Sequence, residues 1–307
     1  MSFSRTTAHV LIGCCSSAFL MEILMARKPS SANLVTFLQF FFISLHGFIV
    51  TAKFGTVSPK IPFKQYIILI TLFFITTVAN NYVYALHVPS TLHMILRSAS
   101  SPASMIVYCY VKNQLPKSNN AIGSVLISVG VALAMYGGAP TNEENKGTLL
   151  YWCLGVSILM ITLFTGAFTG LQQEQLYSQY GKHPNEMLFY THAIPLPIFL
   201  GISPQLLEVS SDLSWDTWIL ILVNIISQFY CTHAVHVLAT KETTVTVTFI
   251  LTLRKFVSLV ISSLVFKNYI TIYHVLGTVL VAIGTYIYFD FFSSRKHRQR
   301  PVTTKDK

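Results

Sequence analysis

Ten apolar stretches divide the chain, and no other feature limits its fold as strongly. They run over residues 9–25, 34–50, 65–84, 91–110, 121–136, 149–171, 187–203, 215–238, 245–266 and 272–292. A helix that crosses a bilayer needs about 20 mostly apolar residues, with about 17 as a lower limit. Only 10% of the residues are charged and 52% are hydrophobic, whereas a soluble domain carries about 25% charged residues. The expected fold is an all-α polytopic membrane protein with ten transmembrane helices. Turn-forming groups separate the stretches, among them Lys28-Pro29-Ser30, Ser58-Pro59-Lys60 and Lys182-His183-Pro184. The first stretch ends in Arg27 and Lys28 without a small-residue cleavage site, so it reads as a retained span and not a signal peptide.

Ten spans place both termini on one side. Fourteen Lys and Arg residues then fall on the terminal side and four on the other. Positive charge collects on the cytosolic side of membrane proteins, so both termini are expected in the cytosol. The basic tail, residues 293–307, contributes six of the fourteen. Basic residues form no continuous face with interleaved aromatics, which argues against nucleic-acid binding.

The chain also repeats itself. Residues 122–130 (IGSVLISVG) match 276–284 (LGTVLVAIG) at four of nine positions. Upstream, Leu96-Arg97 matches Leu253-Arg254, and Lys112-Asn113 matches Lys267-Asn268. A five-span unit duplicated in tandem must be inverted in the membrane, an arrangement that places substrate near the midplane between halves. The expected halves are residues 1–147 and 148–292.

Three cations interrupt matching spans: Arg97 in the fourth, Arg254 and Lys255 in the ninth. An ionisable group in the bilayer costs about 2.5–3.5 kcal/mol on insertion scales and marks a functional site by default. Carboxylates within spans are few and lie near span ends, Glu22 and Asp290 among them. The cations therefore ask for an anionic ligand. Arg254 and Lys255 point about 100° apart on a helix, so one faces the ligand more directly unless the helix breaks. His93 lies one turn before Arg97 and shares its face. Asn80 and Asn81 in the third span either line a cavity or bond between helices. Gln228, Tyr230, His233 and His236 form a polar stripe in span eight, without a third ligand for a metal. The five cysteines lie in apolar spans, lack metal-ligand spacing, and read as small buried hydrophobes. The polar stretch from Gln172 to Glu186 reads as a solvated cytosolic connector. No phosphate loop, nucleophile elbow or paired intramembrane aspartates occur, so neither an enzyme nor a bound cofactor is expected.

Several segments together resemble the nucleotide-sugar transporters of solute carrier family 35, in the drug/metabolite transporter superfamily. They are residues 13–17, 22–28, 34–40, 92–98, 181–183, 188–190, 192–197 and 251–259. The likeness is greatest to the UDP-xylose/UDP-N-acetylglucosamine transporter branch. It implies an antiporter that carries a UDP-sugar from the cytosol into the Golgi or endoplasmic reticulum lumen in exchange for UMP. The Golgi is favoured by family habit, and homo-oligomerisation is left open. Related proteins use a Phe-Tyr-Asn-Asn motif on span seven, which stands here as Phe189, Tyr190, Thr191 and His192. Both asparagine positions differ, which favours uridine over guanine. The family's span-nine lysine matches Lys255. The substrate-binding residues so expected are Lys255, Arg254, Arg97, Tyr190, His192, Asn80, Asn81 and His93. A transporter of another phosphorylated anion on the same fold is the alternative.

Overall fold

The structure, a computed structural model, describes residues 5–86, 90–137, 149–198, 203–265 and 271–289. All regular elements among them are helical. In chain order these are α1 Arg5–Arg27, α2 Ala32–Val50, α3 Phe63–Ala85, α4 Ser90–Ser98, α5 Ser100–Lys112, α6 Ser118–Gly137, α7 Leu149–Tyr180, α8 Pro184–Ala193, α9 Ser203–Ser211, α10 Trp215–Ala239, α11 Thr244–Val265 and α12 Ile272–Tyr288. Six are long and apolar enough to cross a membrane by length and composition: α1, α2, α6, α7 from Cys153, α10, and α11 up to Ile261. The chain is a multi-pass membrane protein. The tail 293–307, Lys146, Lys267, Asn268 and Asp290 lie outside the described residues.

The ends of the helices follow local chemistry. Asn113 closes α5 in the left-handed region at φ 49°, where a short polar side chain is tolerated. Gly181 follows α7 at φ +98°, and Pro184 opens α8, where its missing N–H is harmless.

Two of the ten apolar stretches are not single helices. Stretch 91–110 breaks at Ala99 between α4 and α5. Pro102, one turn further on, cannot donate to the carbonyl four residues back and crowds it. Stretch 187–203 contains Pro195 and Pro197; α8 ends before them at Ala193 and α9 starts at Ser203.

The tightest crossing joins α6 to α12. A Cβ added at Gly130 would lie 2.8 Å from the Gly277 carbonyl oxygen, and one at Gly123 would lie 2.7 Å from that of Gly284. Rising numbers on α6 face falling numbers on α12, so the pair is antiparallel. Backbones approach this closely only where side chains are absent. The aromatic ring of Tyr288 on α12 stacks on Phe249 of α11 at 3.8 Å, and its hydroxyl meets Thr246 at 3.1 Å.

A second seam joins α1 to α10. Asn224 donates to the Ser17 carbonyl at 3.0 Å and accepts from Gln39 of α2 at 2.7 Å. A disulfide links Cys14 to Cys231, with Cα atoms 4.6 Å apart. These two cysteines therefore form a covalent bridge and are not merely the small hydrophobes expected from composition. Residue spacing alone could not pair two cysteines 217 positions apart. Cys15 is buried and reduced, and Cys153 is exposed.

The polar stretch ending at Glu186 is likewise not a solvated connector. Glu186 is 9% exposed. Its carboxylate accepts from the Lys60 and Ile61 amides at 2.9–3.1 Å and from the Tyr66 hydroxyl at 2.9 Å. It thus fastens the α2–α3 connection to α8. On the connection between α9 and α10, Asp212 pairs with Lys28, whose hydrogen bond holds the aspartate below its ordinary pKa.

Two sites test this packing. Gly130→Ala should lower the melting temperature of the detergent-solubilised protein, because overpacking against backbone costs about 1–3 kcal/mol. Gly166→Ala is the control: its nearest neighbour would be Thr76 Cγ2 at 3.9 Å, so its melting temperature should equal or slightly exceed the wild type. Glu186→Ala leaves two amides and a phenol without an acceptor, at about 1–3 kcal/mol per buried group. Limited proteolysis should then cut more readily between residues 51 and 62.

Candidate functional site

Three helices turn polar stripes toward one another. On α10, Gln228, Thr232, Val235, His236 and Ala239 recur at helical spacing. On α11 the residues are Thr244, Val247, Thr248, Leu251, Arg254 and Lys255, and on α7 Thr162, Gly166, Thr169, Gly170, Gln173 and Glu174. With Phe73 and Thr76 of α3, and with α4 and α5, they enclose two adjoining cavities of about 550 and 620 Å³. Phe73, Thr76, Arg97, Gly166, Val235, Thr248 and Leu251 border both, so the two form one continuous space. That size suits a small organic ligand.

The inner chamber carries the charge. Arg97, Arg254 and Lys255 all line it, together with Ser100, Ser104, Gln228, Thr232 and His236. No carboxylate is among its described lining residues. Lys255 Nζ donates to the Arg97 backbone carbonyl at 3.0 Å. The bond has a local cause. The break at Ala99 interrupts the helix after α4, leaving its last carbonyls without helical partners, and a cation is favoured at that negative end. An ammonium has three donors, so two remain for a ligand. Arg254 Nε is buried without a hydrogen-bond partner.

The outer chamber, toward the α10–α11 connection, holds two carboxylates beside Arg97. Glu174 accepts from the Thr244 amide at 2.6 Å and from its hydroxyl at 2.7 Å. It thereby caps α11 from α7. Glu242 lines the same chamber, and burial pushes its carboxyl upward from its ordinary pKa.

The threonines along the walls mostly bond to their own helices. Thr76, Thr169, Thr232 and Thr248 donate to carbonyls one turn back at 2.8–2.9 Å. A hydroxyl has one proton, so these side chains offer acceptors to the cavity. The remaining donors are the cations, the Ser104 hydroxyl and a few amide or imidazole groups.

The other residues singled out by sequence occupy different ground. Tyr190 packs on Tyr66 with ring centroids 4.7 Å apart. His192 lies 4.7 Å from Phe40 and bonds to the Leu188 carbonyl at 2.8 Å. Neither is among the residues lining the two chambers. His93 is buried at 5% exposure and is also absent from those walls. Asn80 and Asn81 lie on α3, and their side chains are outside the described residues. Phe189 lines a separate cavity of about 260 Å³ with His46, Asn185, Phe229 and His233. Sequence reasoning missed Gln173, Glu174 and Glu242. The four-residue recurrence of polar residues through the end of α7 was the signal that could have found the first two.

The comparisons with known proteins agree on kind. The model of the UAA transporter family matches residues 2–291. The UDP-xylose and UDP-N-acetylglucosamine transporter of Danio rerio is 38% identical over 93% of this chain and 93% of its own length. The endoplasmic reticulum GDP-fucose transporter of Drosophila melanogaster is 36% identical over 96% of this chain and 92% of its own. A solved crystal structure covers 96% of this chain and 100% of its own at TM-score 0.66 and 12% identity, a likeness of fold alone. Family and relatives are transporters, not enzymes. The chain belongs to the UAA transporter family.

Proposed function

We propose that this chain is a nucleotide-sugar antiporter that moves a UDP-sugar from the cytosol into the Golgi or endoplasmic reticulum lumen and returns UMP. The observation that carries the reading is the inner chamber, where Arg97, Arg254 and Lys255 meet with no carboxylate among the described lining residues. A diphosphate offers two negative charges there, and UMP about 1.5 to 2 by analogy with phosphomonoesters. One cationic site then serves both ligands, and their exchange is nearly electroneutral. A relative named for UDP-sugars at 38% identity favours the uridine nucleotide. The relative named for GDP-fucose makes a GDP-sugar the competing reading.

The architecture proposed is ten passes in two inverted halves, residues 1–147 and 148–292, with both termini cytosolic. Split stretches α4–α5 and α8–α9 then count as one pass each. The α6–α12 crossing supports inversion. Gly123 and Gly130 correspond in sequence to Gly277 and Gly284, and the two contacts Gly123–Gly284 and Gly130–Gly277 exchange under a two-fold operation. Arg97 and Arg254 are equivalent residues of the two halves. Lys255 has Ser98 as its counterpart, so the ammonium is the asymmetric element of the site. N-acetylglucosamine is the proposed sugar, with xylose and N-acetylgalactosamine as further candidates.

Purified protein in UMP-loaded liposomes tests this directly. Uptake of UDP-N-acetylglucosamine or UDP-xylose should exceed that of a GDP-sugar at least tenfold. Uptake of the GDP-sugar alone would sink the uridine assignment. Lys255→Ala should reduce UDP-sugar uptake by about tenfold or more, the value of a charge-assisted hydrogen bond at about 1.5–3 kcal/mol. Normal exchange by that variant would remove Lys255 from the site.

A further inference from the structure

His236 lines the inner chamber on the same face of α10 as Gln228 and Thr232. Its ring is fixed from outside the chamber wall by α7. Gln173 Nε2 lies 2.9 Å from His236 Nδ1, and the Tyr177 hydroxyl lies 3.3 Å from the same nitrogen. Gln173 Nε2 also donates to the Tyr177 oxygen at 3.4 Å. An amide nitrogen has only protons to offer, whereas a phenol can donate or accept. The amide therefore requires Nδ1 to be an acceptor, and the phenol proton can point to the same nitrogen. A ring whose Nδ1 accepts is neutral and carries its proton on Nε2. Nε2 makes no hydrogen bond to a described residue.

We infer that His236 is a substrate-binding residue, a neutral Nε2–H donor to an oxygen of the nucleotide, and that Gln173 and Tyr177 are positioning residues that fix its tautomer. The assignment rests on the nucleotide-transport reading above. It fits the composition of the wall. The nearby threonines use their protons on their own helices, so uncharged donors are scarce in a chamber meant for an oxygen-rich ligand. A neutral donor adds an oriented contact without adding a fourth buried charge to Arg97, Arg254 and Lys255. The acceptor is either a phosphate oxygen or a carbonyl or hydroxyl oxygen of the nucleoside, and both are read by the same N–H.

Side-chain geometry supplies the test. The amide nitrogen of glutamine falls near the Nε2 position of histidine, and that of asparagine near Nδ1. UMP binding to purified protein in nanodiscs is measured by calorimetry for wild type, His236→Gln, His236→Asn and His236→Ala, with melting temperatures recorded alongside. His236→Gln should bind within about threefold of wild type, and the other two about tenfold more weakly, the upper value of one hydrogen bond. Gln173→Glu offers a carboxylate that accepts from the ring, so the proton moves to Nδ1. It should weaken UMP about as much as His236→Ala. Its ring 15N spectrum, assigned by subtraction of the His236→Gln spectrum, should show Nδ1–H where wild type shows Nε2–H. Uridine and inorganic pyrophosphate locate the acceptor. A loss for uridine as well as UMP places it on the nucleoside, and a loss for UMP and pyrophosphate alone places it on phosphate; either supports the donor role. Wild-type affinity in His236→Ala would overturn the inference. So would an Nδ1–H ring in the wild type, or a stably folded His236→Gln as weak as His236→Ala. If the wild type binds GMP in place of UMP, the uridine reading fails and the same series is run with GMP. If it binds neither, transport of these nucleotides fails, and the donor role falls with it.

Discussion

Three positive charges inside an apolar helical body set the terms for everything else. At about 2.5–3.5 kcal/mol each on insertion scales, Arg97, Arg254 and Lys255 together oppose folding by an amount comparable to the whole stability of a typical domain, about 5–15 kcal/mol. Carboxylate partners would cancel that cost, and none is among the described residues lining the chamber that holds them. The fold answers in another way. It keeps the cations on a polar cavity, and it turns Lys255 onto a carbonyl at the broken end of α4. Attraction among the groups is left incomplete, and an anion completes it.

The helices that frame this cavity are held by contacts of very different kinds. On one flank, α6 and α12 touch backbone to backbone at four glycines, and α11 is stacked on them through Phe249 and Tyr288. On the other, α1 and α10 are joined by Asn224, Gln39 and the Cys14–Cys231 bridge. Between the flanks lie α7 and α11, tied by Glu174 on the amino end of α11. The two chambers share Arg97 and six further lining residues, with Glu174 and Glu242 near the amino end of α11 and Arg254 and Lys255 further along it. The broken stretch α4–α5 borders this cavity through Arg97, Ser100 and Ser104. In a membrane, interrupted helices are tolerated where they line a cavity or are buried in protein.

Much of this is legible in the amino-acid sequence. Long apolar runs predict helices, and the runs 34–50, 121–136 and 215–238 form single helices close to those bounds. Arg97, Arg254 and Lys255 stand out because charge in such runs is rare. The segments that resemble nucleotide-sugar transporters point to the family. Contacts between distant elements are not legible. Gln173, Glu174 and Glu186 read as a solvated connector because their partners lie far along the chain. His236 is 63 positions from Gln173, Thr244 is 70 from Glu174, and the Lys60 amide is 126 from Glu186. The cysteine bridge is hidden for the same reason. Tyr190 and His192, carried over from a family motif, pack instead on Tyr66 and Phe40, because helical phase and neighbouring aromatics decide where a motif residue points.

The same electrostatics gives a physical reason for exchange. A carrier that reorients with an anion bound moves its cations with that negative charge beside them, and one that reorients empty carries the buried charge of Arg254 and Lys255 through a low-dielectric barrier without it. The most direct measurement is release of radiolabelled UMP from proteoliposomes, with and without UDP-sugar outside. The account predicts slow release into plain buffer and at least tenfold faster release once external UDP-sugar is added. Equal release under both conditions would show that the empty carrier turns over freely, and would contradict it.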